Sequence, residues 1–148
     1  MLSNKPVVFS AKRISKDFGA GKNLKTAVRD VSFDIYDEEF ISIVGGSGCG
    51  KSVLAKIMLG LYEPTRGQFL YRDKPIKNLK VHWNEVQSVF QDPFGCFNQF
   101  FTIRSQLEDS LNILKDKPSK DEVRRRVDEG LLAVNVTPAD IEGKYPFE

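Results

Sequence analysis

Cysteine, histidine and long apolar runs are all scarce in this sequence of 148 residues, and each shortage removes a class of protein. Two cysteines, Cys49 and Cys96, cannot build a disulfide framework, so a reducing compartment is the economical expectation. His82 is the single histidine; nothing near it in sequence gives it a catalytic or metal-binding role, and we expect it to be structural or exposed. Uncharged stretches fall well short of a membrane span. Lys12 also breaks the apolar start at residues 7–14 before it could serve as a signal peptide, and the chain is expected to be soluble and not exported. An excess of charge of one sign is missing too. With 22 basic and 20 acidic residues interspersed along the chain, the net charge is +2 and no electrostatic footprint for nucleic acid stands out. There is no internal repeat and no low-complexity tract. What remains, with 41% of residues apolar, is an ordinary globular composition with core enough for one domain.

Val31, Phe33 and Ile35 alternate with Ser32 and Asp34, the period of a half-buried strand, and residues 7–14 offer it a partner. An antiparallel β layer is therefore expected to open the fold. After the polar turn Asp37-Glu-Glu39 comes Phe40-Ile-Ser-Ile-Val44, a nearly continuous apolar run of the kind found in a strand covered on both faces. Glycines follow at once. Leu54, Ile57, Met58 and Leu61 then recur at helical spacing until Pro64 and Gly67 close the segment. Residues 86–90 read as a further strand, ending at Gln91-Asp-Pro93. The stretch 93–103 carries no charge and holds Phe94, Phe97, Phe100 and Phe101. Beyond it, Ile103, Leu107, Leu111 and Leu114 share a helical face. Ser119 and Glu122 form a capping box that opens a second helix with Val123, Val127, Leu131 and Val134, and Thr137-Pro138 suits the start of a third. The Arg124-Arg-Arg126 run is matched at i,i+4 by Asp121 with Arg125, Glu122 with Arg126 and Arg124 with Asp128, which reads as a solvated, salt-bridged face.

The chemistry lies in the glycines. Gly45-Gly-Ser-Gly-Cys-Gly-Lys-Ser52 fits the P-loop pattern GxxxxGK[ST] between an apolar strand and an amphipathic helix, the setting in which that pattern has meaning. Gly45, Gly46, Ser47, Gly48, Cys49 and Gly50 would turn backbone N–H groups inward around phosphate oxygens, where larger side chains would crowd the ligand. The helix start adds unpaired donors and the positive end of the dipole. Lys51 would neutralise the β and γ phosphates and the Ser52 hydroxyl would ligate Mg²⁺. The loop alone suits kinases, GTPases and transport ATPases equally, because it recognises the triphosphate and not the chemistry that follows.

Other segments decide among these. Lys16-Asp-Phe18-Gly, Val31-Ser-Phe-Asp-Ile, the run from Phe40 through the loop, and Val86-Gln-Ser-Val-Phe-Gln91-Asp-Pro-Phe together closely resemble the ATP-binding subunits of ABC transporters. The aromatic after Gln-Asp-Pro and the later Phe97-Asn98 resemble most the oligopeptide, dipeptide and nickel importer group. The resemblance implies an α/β fold of P-loop NTPase type with an N-terminal antiparallel β layer and a helical subdomain. It divides the chain into a nucleotide-binding part, 1–92, and a helical part, 93–148. It implies ATP and Mg²⁺ as cofactors, with Phe18 stacking on adenine and the Gln91 side chain reaching Mg²⁺ beside Ser52. Phe18 could equally be a core residue at a strand end. The implied partners are the transmembrane subunits of an importer, docking on residues 91–103, and a second ATP-binding subunit; the implied place is the cytoplasmic side of the membrane, as a peripheral protein. The uncharged stretch itself reads either as internal packing or as a seat for a partner helix.

The same resemblance exposes what is missing. The family's hydrolysis needs an acidic pair after an apolar strand and a later histidine, and its Leu-Ser-Gly-Gly-Gln signature meets a partner's ATP; none is found here. Asp37-Glu38 and Asp128-Glu129 lie in the wrong settings, the first before the loop and the second on an amphipathic helix. Lys144-Tyr-Pro-Phe-Glu148 resembles the residues just before the signature, so we expect an incomplete domain with an incomplete sheet that binds Mg-ATP and does not hydrolyse it alone. The alternatives are a non-hydrolysing nucleotide-binding or docking fragment and, last, an unrelated P-loop kinase. Glu38 stands where relatives carry Gly, so the turn into the loop strand is expected to differ.

Overall fold

The computed structural model describes residues 5–92, 94–111 and 118–148. It forms two compact units, Met1–His82 and Trp83–Glu148. Among the described residues no helix is long and apolar enough to cross a membrane.

The first unit is built on a four-stranded antiparallel sheet in the order β2-β1-β3-β4. Its strands are β1 (Val7–Phe18), β2 (Lys25–Tyr36), β3 (Arg66–Tyr71) and β4 (Lys74–Pro75). The alternation read at Val31, Phe33 and Ile35 sets the register, with Ala11 opposite Phe33 and Ile14 opposite Val31, and both strands run longer than the apolar run suggests. Ala11, Ile14, Val28 and Phe69 turn one sheet face inward, where Leu54 and Ile57 of α1 (Lys51–Met58) cover it. β1 and β2 break register between Ala11 and Ile14. Arg13 stands at that irregularity and Asp30 at the next, between Ile14 and Lys16, both in left-handed backbone, φ 52 and φ 48, and joined by a 3.1 Å ion pair. His82, on α2 (Leu79–Trp83), is buried: its Nε2 lies 2.9 Å from the Met58 carbonyl, and Tyr71 packs edge-on to its ring at 5.1 Å. Of the two expectations for it, structural or exposed, burial leaves the first.

Two expected strands do not form. Residues 40–44 have no regular structure, and Phe40 and Val44 are 95% and 87% exposed. Residues 86–90 are likewise unpaired, with Val89 fully exposed. The reason is hydrogen bonding. A parallel strand takes its backbone partners from strands on either side, and the one sheet among the described residues is antiparallel and includes neither run. Apolar sequence alone therefore leaves both segments unladdered, and the sheet is incomplete: antiparallel strands and helices with no parallel pair among the described residues.

The second unit is helical. Thr102 caps α3 (Ile103–Ser110) by accepting from Ser105 N, and Ser119 caps α4 (Lys120–Ala133) by accepting from Glu122 N at 3.2 Å. Glu122 does not return the favour to Ser119; its carboxylate holds Arg125 at 2.8 Å and Arg126 at 2.6 Å. Pro138 opens α5 (Pro138–Ile141), where the Asp140 carboxylate accepts from both N–H and hydroxyl of Thr137 and is held below its usual pKa by them. Val127, Leu131 and Ile141 form the core, with Ile103, Leu107 and Leu111 packed on it. Leu114, expected on the same face, lies outside the described residues. Asp128 pairs not with Arg124 but with Arg104 of α3 at 2.9 Å, and Arg104 also reaches Glu142 at 2.7 Å. This buried arginine tying three helical segments carried no signal in the sequence.

Candidate functional site

The turn after β2 sets up the loop. Asp37 N donates to Pro6 O at 3.0 Å and Tyr36 N to Glu39 Oε2 at 2.9 Å, while Glu38 takes a left-handed φ of 56. Such a conformation suits glycine, the physical content of the departure noted at this position. The chain then passes through residues 40–44 to Gly45.

From there the loop folds tightly onto β2. Gly48 and Gly50 are left-handed, φ 75 and φ 99, and Gly50 forms the N-cap of α1 with Leu54 N bonded to its carbonyl at 2.9 Å. A Cβ on Gly50 would sit 2.3 Å from the Ala27 carbonyl oxygen, so only glycine lets the loop lie this close to the sheet. Cys49 is exposed, with its N–H directed to Gly46 O at 3.4 Å. The Lys51 side chain curls back over the loop and donates to Gly45 O and Gly46 O, each at 2.8 Å, and lies 3.7 Å from Cys49 Sγ. Its ammonium is thus fixed at the mouth of the turn by carbonyls it can exchange for an anion. The N–H groups of the first helical turn have no intrahelical acceptor, which leaves donors and the positive dipole end at the same place.

These features fit a triphosphate: the backbone donors of a helix start, one fixed cation, open space beside Gly46 and Gly48, and no carboxylate within residues 45–52. They fit magnesium in the sparse way that ion accepts, since it keeps most of its waters and takes few protein oxygens when phosphate supplies the rest. Ser52, exposed in the first turn of α1, offers one hydroxyl. Among the described residues no group of three or more His, Cys, Asp or Glu could hold a metal unaided. Ser47 is exposed in the turn itself.

Phe18 ends β1 and is 37% exposed, its ring 5.4 Å from that of Tyr62 at 72°. Tyr62 and Lys16 were missed by the sequence reading; the i, i+2 spacing of Lys16 and Phe18 on one strand face was the available signal. Next to Phe18, Asp17 is held below its usual pKa by a hydrogen bond from Thr26, against the cost of its burial and with help from Arg66 at 2.7 Å. Gln91 belongs to the second unit, exposed at a bend directly after residues 86–90. In the uncharged stretch, Gln106 ties the backbone: its Oε1 accepts from Asn98 N at 2.6 Å and its Nε2 donates to Asn98 O and Phe101 O at 2.9 Å. Phe97 is half-buried, whereas Phe100 and Phe101 are exposed.

A lysine-closed glycine turn opening a helix against a sheet defines a fold of P-loop type. Residues 28–142 match the ABC transporter family, and the chain belongs to it. It is 34% identical over 147 residues to the oligopeptide transport ATP-binding protein OppF of Haemophilus influenzae, covering 96% of this chain and 44% of that protein. It is 37% identical over 131 residues to the nickel import ATP-binding protein NikE of Brucella suis, covering 84% and 48%. The chain thus spans less than half the length of these relatives. Its fold is shared with the ATP-binding cassette MJ0796, solved as a dimer in a post-hydrolysis state bound to ADP and Pi, with a TM-score of 0.79, 25% identity and coverage of 94% of this chain and 62% of that one.

Proposed function

We propose that this chain is the nucleotide-gripping part of the ATP-binding subunit of an importer, with oligopeptides or dipeptides as the solute class. The observation that carries the reading is Lys51, whose ammonium is held at 2.8 Å from two carbonyls of the loop it closes. Backbone N–H groups of residues 45–52 take the phosphate oxygens, Lys51 exchanges its carbonyl partners for the β and γ phosphates, and Phe18 stacks on the base. Ser52 would offer its hydroxyl to Mg²⁺, which when bound supplies the positive charge that draws the phosphates together. The 148 residues bind Mg-ATP and do not turn it over, because the sequence offers no acidic pair after an apolar strand and no histidine beyond His82. Names of relatives that pair oligopeptide or nickel transport with ATP binding support the coupling role.

Docking follows from exposure. Phe100 and Phe101 present apolar surface within residues 91–103 that suits a short cytoplasmic helix of a transmembrane subunit, and a second ATP-binding subunit completes the working assembly on the cytoplasmic face of the membrane. The solute is selected by subunits other than this one. Titration of the chain with Mg-ATP, beside an assay of phosphate release, tests the core of the proposal. Binding that Lys51→Ala weakens at least about tenfold, a loss of ~1.4 kcal/mol, is expected with no turnover. Undiminished binding by the variant, or steady turnover by the chain, refutes it.

A further inference from the structure

The aromatic and cationic groups around Phe18 form a cluster that the phosphate reading does not use. β1 alternation brings Lys16 and Phe18 to one face, and Lys16 Nζ lies over the Phe18 ring at 5.4 Å from its centroid and over Tyr62 at 5.7 Å. That ammonium is not free to wander, since it donates to the Glu63 carbonyl at 2.8 Å. Tyr62 meets Phe18 edge to face and carries a second ammonium, Lys56 Nζ, at 5.4 Å from its own centroid.

The segment bearing Tyr62 is fastened at both ends. Tyr62 N donates to Lys56 O at 3.2 Å, tying it to α1, and Thr65 closes on β1 through Thr65 N to Ser15 O at 2.8 Å and Asp17 N to Thr65 Oγ1 at 3.0 Å. Phe18 is therefore held on the strand side by its own backbone and on the helix side by Tyr62, with part of its surface still open. The helix that begins at the phosphate-gripping loop thus also fixes, at its exit, the ring proposed to hold the base.

We infer that Lys16 and Tyr62 are positioning residues for base recognition, which hold the Phe18 ring and bias the site towards purine nucleoside triphosphates. The inference rests on the reading of Phe18 and the glycine loop given above. Two physical effects carry it. An ammonium over one part of an aromatic ring draws its π density, so the open part stacks better on an electron-rich, two-ring purine than on a pyrimidine. A ring already locked by an edge-to-face neighbour and a tethered cation also loses less rotational freedom when a base settles on it.

The test measures affinity of the chain for Mg-ATP, Mg-CTP and inorganic tripolyphosphate with Lys16→Met, Lys16→Arg, Tyr62→Leu, Tyr62→Phe and Lys51→Ala. The expected result is that Lys16→Met and Tyr62→Leu each weaken ATP binding about two- to fivefold, towards the CTP value. Tripolyphosphate binding should stay unchanged, and Lys16→Arg and Tyr62→Phe should retain the ATP preference. Retained tripolyphosphate binding also shows that the variants are folded. Equal weakening of ATP and tripolyphosphate would make Lys16 a phosphate ligand or the cluster a structural brace, and unaltered ATP binding would make the cluster idle; either overturns the inference. Tripolyphosphate binding indifferent to Lys51→Ala would overturn the phosphate reading beneath it, a failure separable from the other two.

Discussion

Gly50→Ala is the substitution to which the loop should be least tolerant, although it adds a single methyl group. The new Cβ would lie 2.3 Å from Ala27 O and 3.4 Å from Val28 Cγ2, in a residue whose φ is 99. An ordinary carbon–oxygen contact is about 3.3 Å or longer, so the loop must retreat from β2 by roughly 1 Å. Left-handed backbone for a residue with a Cβ costs about 1–2 kcal/mol, and forced shifts in a packed region cost about 1–3 kcal/mol more. A loss near 3 kcal/mol is expected, read as a lower midpoint in urea unfolding followed by far-ultraviolet circular dichroism. The retreat also carries the N-cap of α1 and the Lys51 backbone with it, so tripolyphosphate affinity should fall at least about tenfold. Gly46→Ala is the control. Its Cβ meets nothing within 4 Å and its φ is not left-handed, so stability should change by no more than about 0.5 kcal/mol. If Gly50→Ala unfolds at the wild-type midpoint, the packing of the loop against Ala27 is not what holds it, and the reasoning fails.

Two further predictions concern the helical unit. Arg104→Met removes ion pairs at 2.9 Å to Asp128 and 2.7 Å to Glu142; each charge-assisted bond is worth about 1.5–3 kcal/mol, discounted here because the carboxylates can rehydrate, so a loss of about 2 kcal/mol is expected in urea unfolding of the chain. An unchanged midpoint would show that the arginine is tolerated rather than used. Hydrogen bonds from Arg125 and then Arg126 hold the Glu122 carboxyl down from 4.5 to about 2. A depressed carboxylate contributes stability that is complete above its unfolded value and lost as pH falls through the folded one. Helical ellipticity should therefore decline between about pH 4.5 and about pH 2, and Glu122→Gln should flatten that decline; an identical titration in the variant refutes the assignment.

Short-range signals were the legible ones. The alternation of β2, the α3 and α4 core faces, the Ser119 cap and the glycine loop all follow from neighbours a few residues apart, where alternation, capping chemistry and left-handed glycines leave little choice. Residues 40–44 and 86–90 show the limit of that logic. Their apolar composition describes what covers a strand, but a strand exists only when other strands supply its hydrogen bonds, and that information does not reside in the run itself. Of the ion pairs expected on α4, Glu122 with Arg126 forms, Arg125 takes Glu122 and Glu129 in place of Asp121, and the pairing of Asp128 misled for a related reason. At i,i+4 spacing Asp128 could reach Arg124, yet Arg104, brought close by the packing of α3 on α4, offered a buried partner and took it. Lys16 and Tyr62 met through tertiary structure as well, 46 residues apart in sequence.

The geometry of the loop bears on how much of the fold it depends on. With residues 40–44 unladdered, the glycine turn has lost one of the two supports that a strand–loop–helix unit normally gives it, yet Lys51 still closes on Gly45 and Gly46 and both left-handed glycines keep their conformations. The remaining support is enough because it comes from the helix side. Leu54 and Ile57 bury α1 against Ile14 and Val28, and the near contact of Gly50 with Ala27 O fixes the start of that helix on β2. The shape of the loop is then held by the antiparallel layer and one helix. Pairing of residues 40–44 would instead orient the loop towards whatever chemistry follows. It follows that Val44→Asn, an uncharged change at an exposed position bonded to no strand, should leave tripolyphosphate binding untouched, whereas Ile57→Asn should abolish it by unseating α1.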